Sequence, residues 1–347
     1  MNSQSRLTYK EAGVDIAAQD EALAGARDAI RRSFTPGVLG DVGLFGGLFD
    51  PKLVGFEDPI LVASADGVGT KLEVAKRAKK YDTVGRDLVQ HCINDILVQG
   101  ARPMFFLDYV AMGKLEPAVV TALVRGCADA CHENGFALLG GETAEMQGMY
   151  SRGDFELAGF IVGAVERDLL IDGSRVKEGQ KLLGLTSSGL HTNGYTLARK
   201  ILFELSGLGL EDRPEELGGR SIQDALLAQH RSYLRLLRPL IEAKRLAAMA
   251  HITGGGIPGN LNRVLGATDA IVDAGAWQIP PLFRMLVERG GLEREEAFKA
   301  FNMGIGMVLV VEAKDEEHVV AELEGQGEQV FRLGRTVAGS GRVELTW

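Results

Sequence analysis

Asp66-Gly67-Val68-Gly69-Thr70-Lys71 sits directly behind the apolar run Ile60 to Ala65, and this elbow constrains the fold more than any other segment. An apolar run closed by glycines and followed by helical spacing reads as a strand turning into a helix. Residues 71–99 carry that helical spacing. Strand 104–111, helix 116–134, strand 136–139 and a long strand 155–165 follow, which predicts an α/β layered domain spanning residues 1–167. Residues 168–180, with Asp172-Gly173 and Glu178-Gly179, read as a linker. A second α/β domain is expected over residues 181–347. It opens on strand 181–185, carries helices near 195–205, 222–241 and after Gly259, and closes with strand 304–311, helix 316–323 and strands 329–336 and 342–345.

A chain of 347 residues is long enough for two cores. Its formal charge of −9 argues against a nucleic-acid partner, and the basic residues from Lys76 to Lys80 read as a solvated helix face. The first twenty residues are polar and mixed in charge, unlike a signal peptide. No apolar run approaches a membrane span, and residues 303–311 read as a buried strand. Cys92, Cys127 and Cys131 are the only cysteines, a sparse odd set that suits a reducing cytoplasm. Cys127, Cys131 and His132 lack a fourth ligand and read better as buried helix residues. The 45 glycines lie in discrete turns, which implies many close backbone approaches.

The elbow also carries chemistry. Asp66 can hold Mg²⁺, a small oxygen-seeking cation. Gly67 and Gly69 let backbone N–H groups approach phosphate oxygens, while Thr70 and Lys71 can contact a triphosphate at the helix start. The order differs from a P-loop, since the acid comes first and Thr precedes Lys. An ordinary strand-to-helix turn is the rival reading. Asp87, His91 and Asp95 recur every four residues and share one helix face. Asn94 beside Asp95, in an otherwise apolar helix, calls for a polar partner. An exposed helix face is the alternative.

Gly140-Gly141-Glu142-Thr143 places an acid after strand 136–139, where ligands of α/β sheets commonly bind. Glu142 can complete a Mg²⁺ shell with Asp66 and Asp95. Asp108, inside an apolar strand, reads equally as a fourth ligand or as a core carboxyl. In the second domain, residues 186–194 link a strand to a helix and offer hydroxyls, free N–H groups and His191, a potential general acid or base. A turn histidine capping a helix is the plainer reading. Thr253-Gly254-Gly255-Gly256 forms another glycine elbow, suited to ligand contact or to flexible connection. Residues 37–49 combine glycines with Leu44, Phe45, Leu48 and Phe49, as a closing lid or a packed loop does.

These segments in this order resemble the phosphoribosylformylglycinamidine cyclo-ligases, also called aminoimidazole ribonucleotide synthetases. The resemblance runs from Tyr9-Lys10-Glu11-Ala12-Gly13-Val14-Asp15 through the Asp66 elbow, residues 89–103 and Gly140 to Met146. It continues through Ser187-Ser188-Gly189-Leu190-His191-Thr192-Asn193-Gly194-Tyr195 and residues 253–258. Gln147 departs from it, where a proline is expected. The resemblance implies a two-domain ATP-binding synthetase fold whose N-terminal sheets pair in a barrel-like homodimer. It further implies ATP-dependent closure of formylglycinamidine ribonucleotide to aminoimidazole ribonucleotide, with ADP and phosphate released, in purine biosynthesis. On that reading Asp66, Asp95 and Glu142 hold Mg²⁺, and Gly67, Gly69, Thr70, Lys71 and Thr143 serve ATP. Asn94 then orients the metal shell, and His191 assists proton movement or the departing phosphate.

Related architectures fit less well. Selenophosphate synthetase uses a cysteine near the N-terminal glycine loop, and no cysteine precedes Cys92 here. The hydrogenase-maturation dehydratase uses a C-terminal cysteine, whereas this sequence finishes Leu345-Thr346-Trp347. Thiamine-monophosphate kinase leaves the residues from Ser187 to Tyr195 unexplained. A non-catalytic nucleotide-binding subunit has no need of all three acids and His191.

Overall fold

The computed structural model describes residues 16–41 and 46–347. The motif from Tyr9 to Asp15, and Leu44 and Phe45 of the glycine-rich segment, lie outside them. In the first layer system, α1 (Ile16–Arg32) precedes β1 (Pro59–Gly67), α2 (Lys71–Ala78), α3 (Asp82–Leu97), β2 (Arg102–Met112), α4 (Pro117–Asn134), β3 (Ala137–Glu145) and β4 (Phe155–Glu166). The second begins with β5 (Lys181–Thr186), α5 (Tyr195–Arg199), α6 (Ile222–Leu226), α7 (Leu234–Glu242), β6 (Leu246–His251), α8 (Gly256–Leu261) and β7 (Thr268–Asp273). It is completed by α9 (Pro281–Gly290), α10 (Arg294–Ala300), β8 (Ile305–Val311), α11 (Glu316–Gly325), β9 (Val330–Ala338) and β10 (Val343–Thr346). Among the described residues, no helix is long and apolar enough to cross a membrane.

Two sheets result, so the expected mixed α/β class holds. The first is four-stranded in the order β1-β4-β2-β3, antiparallel except for the β2–β3 pair. It is open: β1 and β3 are its edges, and the described chain forms no closed barrel. The second sheet runs β10-β7-β9-β5-β8-β6. Its β6 and β7 have no counterpart among the expected strands. β6 (Leu-Ala-Ala-Met-Ala-His) is buried throughout, so it shows no period-two alternation to read.

Helix α3 is the central packing element. Leu88, Val89, Cys92, Ile93 and Ile96 are buried in the core. It crosses α4 at a pair of glycines: a β-carbon on Gly85 would overlap the Leu123 carbonyl, and one on Gly126 the Asp82 carbonyl. All three cysteines are buried and free, as expected of helix and core positions. The expected helix 71–99 is two helices, because Lys79 adopts the left-handed conformation (φ 50°) and ends α2. Helix 222–241 is likewise divided, and the non-helical connection between α6 and α7 contains His230.

Strand register settles the role of Asp108. Asp66 stands opposite Gly159, Gly159 opposite Asp108, and Asp108 opposite Gly141, so these residues share one row across the sheet. This row faces the helices. Asp108 is buried near Cys127 and Cys131, and a β-carbon on Gly141 would overlap its carboxylate. It is a core carboxyl, two strands away from Asp66. Burial without a cationic partner pushes its pKa up to about 7. The folded state therefore holds this proton more tightly than the unfolded chain. Its contribution to stability is complete below about pH 4 and is lost as pH rises toward 7. Asp108→Asn, which mimics the protonated form, should raise the melting temperature at pH 8 far more than at pH 5. The expected gain at pH 8 is on the order of a few kcal/mol. Thermal melts at the two pH values test this; an unchanged pH slope would contradict it.

Candidate active site

A cavity of about 620 Å³ lies between the two sheet systems. Ser64, Asp66, His91 and Asp95 line it from β1 and α3, and Asn193, His251, Thr253, Gly254 and Arg263 from the second system. Asp66 leaves the end of β1 on the helix-facing side, which brings it to the α3 face carrying His91 and Asp95. Gly67 N–H donates to Asp66 Oδ1 (2.6 Å), and His91 Nε2 donates to Asp66 Oδ2 (2.6 Å). The same ring nitrogen is 3.4 Å from Asp95 Oδ2, and Ser64 Oγ donates to that oxygen at 3.3 Å.

Four of the six histidines meet behind this edge: His91, His191, His230 and His251. His251 Nδ1 donates to Asp95 Oδ1 (2.9 Å), and its Nε2 lies 3.2 Å from His230 Nε2, which also stands 3.1 Å from the Asn94 amide nitrogen. His91 Nδ1 donates to Thr192 Oγ1 (2.7 Å), and that hydroxyl turns toward His230 Nδ1 (3.5 Å). Burial disfavours charge on every one of these rings. For His91, hydrogen bonds and charge from Asp66 and Asp95 outweigh it and lift the pKa to about 9. For His251 burial prevails over Asp95, and for His230 and His191 burial together with neighbouring positive groups drives the pKa well down. The cluster is thus one imidazolium clasped by two carboxylates, backed by neutral rings.

Several residues expected at the site are placed elsewhere. Lys71 does not reach outward to a phosphate; it is completely buried, with Nζ 2.6 Å from Asp87 Oδ2, 2.8 Å from the Ala228 carbonyl and 3.1 Å from the His191 carbonyl. Asn94 does not orient Asp95. Its amide donates to Arg231 O (2.8 Å) and its oxygen accepts from Tyr233 N–H (3.0 Å), fastening α3 to the second domain. His191 is buried, stacked on His230 with ring centroids 3.9 Å apart, and Ser188 N–H donates to its Nε2. It does not line the cavity. Gly67, Gly69 and Thr70 do form the turn after Asp66, where Thr70 Oγ1 is 2.9 Å from Thr196 Oγ1.

Glu142 is the largest correction. It lies within β3 rather than in a turn beyond it, opposite Tyr109 and one residue past the Asp66–Asp108 row. A one-residue step along a strand sends the side chain to the other face. Two strands also separate β3 from β1, a span of about 14 Å at normal strand spacing. Glu142 and Thr143 instead line a separate cavity of about 520 Å³ at the β3 edge. Within one chain, Glu142 cannot join Asp66 and Asp95 on a single ion.

Comparisons with known proteins bear on what this geometry is for. Residues 48–165 match the family described as AIR synthase related protein, N-terminal domain, and residues 177–346 its C-terminal domain. The chain is 44% identical to the phosphoribosylformylglycinamidine cyclo-ligase of Citrifermentans bemidjiense over 346 residues, covering 99% of each chain. It is 48% identical to that of Methylobacillus flagellatus over 349 residues, again covering 99% of each. The chain belongs to the phosphoribosylformylglycinamidine cyclo-ligase family. More distant solved structures share the fold. Thiamine-monophosphate kinase from Stenotrophomonas maltophilia superposes with a TM-score of 0.70 at 22% identity, covering 93% of this chain and 95% of that one. Hydrogenase maturation protein HypE, solved in complex with ATP, gives 0.67 at 17% identity, with 96% and 93% covered.

Within this cyclo-ligase site, sequence reasoning passed over His230 and His251. His251 ends β6 two residues before Thr253-Gly254-Gly255, a strand-end-then-glycine arrangement like the one that singled out Asp66, so a signal existed. His230 carried none, since it lies in a connection within an apparently continuous helical stretch. Asp66 and Asp95 offer hard carboxylate oxygens beside the Ser64 hydroxyl, the donor type Mg²⁺ takes, and a cation bound to them would compete with the proton that His91 holds between them. In metal-free protein the His91 ring signal should titrate with a midpoint near 9, its stabilising charge present at low pH and lost as pH rises through that value. Asp66→Asn, or saturating Mg²⁺, should lower the midpoint. A midpoint at or below the ordinary 6.5, read by NMR of labelled histidine, would contradict the assignment.

Proposed function

We propose that this chain closes the imidazole ring of aminoimidazole ribonucleotide, consuming ATP and formylglycinamidine ribonucleotide and releasing ADP and phosphate. The observation that carries this reading is identity of 44–48% to cyclo-ligases along almost the whole chain, spanning both sides of the interdomain cavity. An amide oxygen is a poor leaving group. Its phosphorylation yields an imidoyl phosphate, which the neighbouring substrate nitrogen attacks; the C–O bond then breaks and phosphate departs. Both reacting groups belong to one substrate, so the protein contributes chiefly by holding them in an attack geometry away from water.

Asp66 and Asp95 would hold Mg²⁺, with the Gly67–Thr70 turn beside the triphosphate. Mg²⁺ bound there would neutralise charge on the phosphoryl group in transfer. His91 fixes both carboxylates. His251, neutral and engaged at Nδ1 by Asp95 and at Nε2 by His230, keeps Asp95 aligned at the cavity wall. Arg263, on the cavity wall, supplies a cation for the ribonucleotide phosphate. A soluble cytoplasmic setting fits these substrates. The open sheet face, where Leu61 and Phe160 are exposed, is the surface on which a second copy would pair.

Purified chain supplied with formylglycinamidine ribonucleotide, ATP and Mg²⁺ should release ADP and aminoimidazole ribonucleotide in equal amounts. ADP without cyclised product would defeat the proposal. Asp66→Asn and Asp95→Asn should each lower turnover by roughly 10²-fold or more, the scale of losing a preorganised charge at a reacting centre. Glu142→Gln should cost less, because Glu142 lies on the other sheet face. A loss as large as that of the aspartates would mean that Glu142 reaches the reaction from a second subunit.

A further inference from the structure

Lys71 and Asp87 form an ion pair whose two side chains are both fully buried. Burying two charges is costly unless each finds partners for its remaining donors and acceptors. Here the partners come from the other domain. Lys71 has three N–H donors and three acceptors around Nζ: Asp87, the Ala228 carbonyl and the His191 carbonyl. The second oxygen of Asp87 accepts from His230 N–H at 2.7 Å. The pair thus grips two separate segments of the second domain, each beside a residue of the histidine cluster.

The two grips lead to the two candidate metal-binding acids. Lys71 holds the carbonyl of His191, whose backbone sits at φ 61°, a conformation uncommon for a side chain of this size. The next residue, Thr192, receives His91 Nδ1–H, and His91 clasps Asp66. Asp87 holds the backbone of His230, whose ring meets His251, and His251 aligns Asp95. We propose that Lys71 and Asp87 are positioning residues of the cyclo-ligase reaction, a buried clamp that sets His91 and His251 by fixing the backbone at His191 and His230. This rests on the cyclo-ligase reading for its kinetic consequences, and on geometry alone for its structural ones. Lys71, enclosed on all sides, presents no exposed surface to a nucleotide.

The charge-balanced variant Lys71→Met/Asp87→Asn removes the lysine grip without leaving an unpaired buried charge. It should melt cooperatively and bind Mg-ATP within about threefold of the parent, while kcat falls about 10²-fold, the scale of a small misplacement of reacting groups. The His91 and His230 signals should shift in nucleotide-free protein. A Mg-ATP dissociation constant raised tenfold or more with kcat retained would overturn the proposal in favour of direct triphosphate contact. Unmoved histidine signals with kcat within about threefold of the parent would reduce the pair to a packing feature, since misplacement costs far more. The parent chain supplies a test that needs no variant. Under reductive methylation of the native protein, Lys71 should stay unmodified with or without ATP. Methylation that ATP prevents would place Lys71 in the nucleotide site and overturn the clamp. Should the parent fail to turn over formylglycinamidine ribonucleotide, the functional reading falls, while the labelling pattern and histidine signals still decide the clamp.

Discussion

Two opposite charges, Lys71 and Asp87, lie at zero exposure between the two halves of this molecule. Neither half alone can satisfy them. The lysine needs the carbonyls of His191 and Ala228, and the aspartate needs the N–H of His230. A buried charge deprived of such partners costs several kcal/mol, so the pair accepts only one docking of the domains. Asn94, one turn of α3 from His91, repeats the logic with neutral groups by meeting Arg231 and Tyr233. The polar face of α3 is therefore an interdomain seam.

That seam ends at the cavity. Asp66 and Asp95 come from the first domain, while Thr192 and His251 come from the second, and His91 joins them. The carboxylates hold His91 charged, and burial keeps the other rings neutral. The rings differ because two carboxylates on His91 outweigh its desolvation, the one carboxylate on His251 does not, and burial and neighbouring positive groups act together on His191 and His230. A site assembled across two domains can also be disturbed from either one.

The sequence was most legible where backbone chemistry is local. Glycine elbows after apolar runs marked the ends of β1 and β5, and Pro117 and Gly135 bracket α4 as helix start and stop signals. Legibility failed where apolar content lost its period, as in the wholly buried β6, and where a helix broke without glycine or proline, as at Lys79. It failed again at Gly140-Gly141-Glu142. Two glycines before an acid read as a turn, yet they continue a strand, and Gly141 is there to admit the Asp108 carboxylate.

By itself, the sequence determined the two-layered α/β organisation, the family, and the roster of acids and histidines from which the site is drawn. Composition, period and motif order are written along the chain. Only the tertiary structure decided which members of that roster meet. Strand register put Asp66 on the helix side and Glu142 on the other, because alternate residues of a strand face opposite ways and one step decides the matter. Domain docking turned Lys71 inward and buried His191 while bringing His251 to the cavity. The backbone groups that complete the buried Lys71–Asp87 pair are found in space, more than a hundred positions away along the chain.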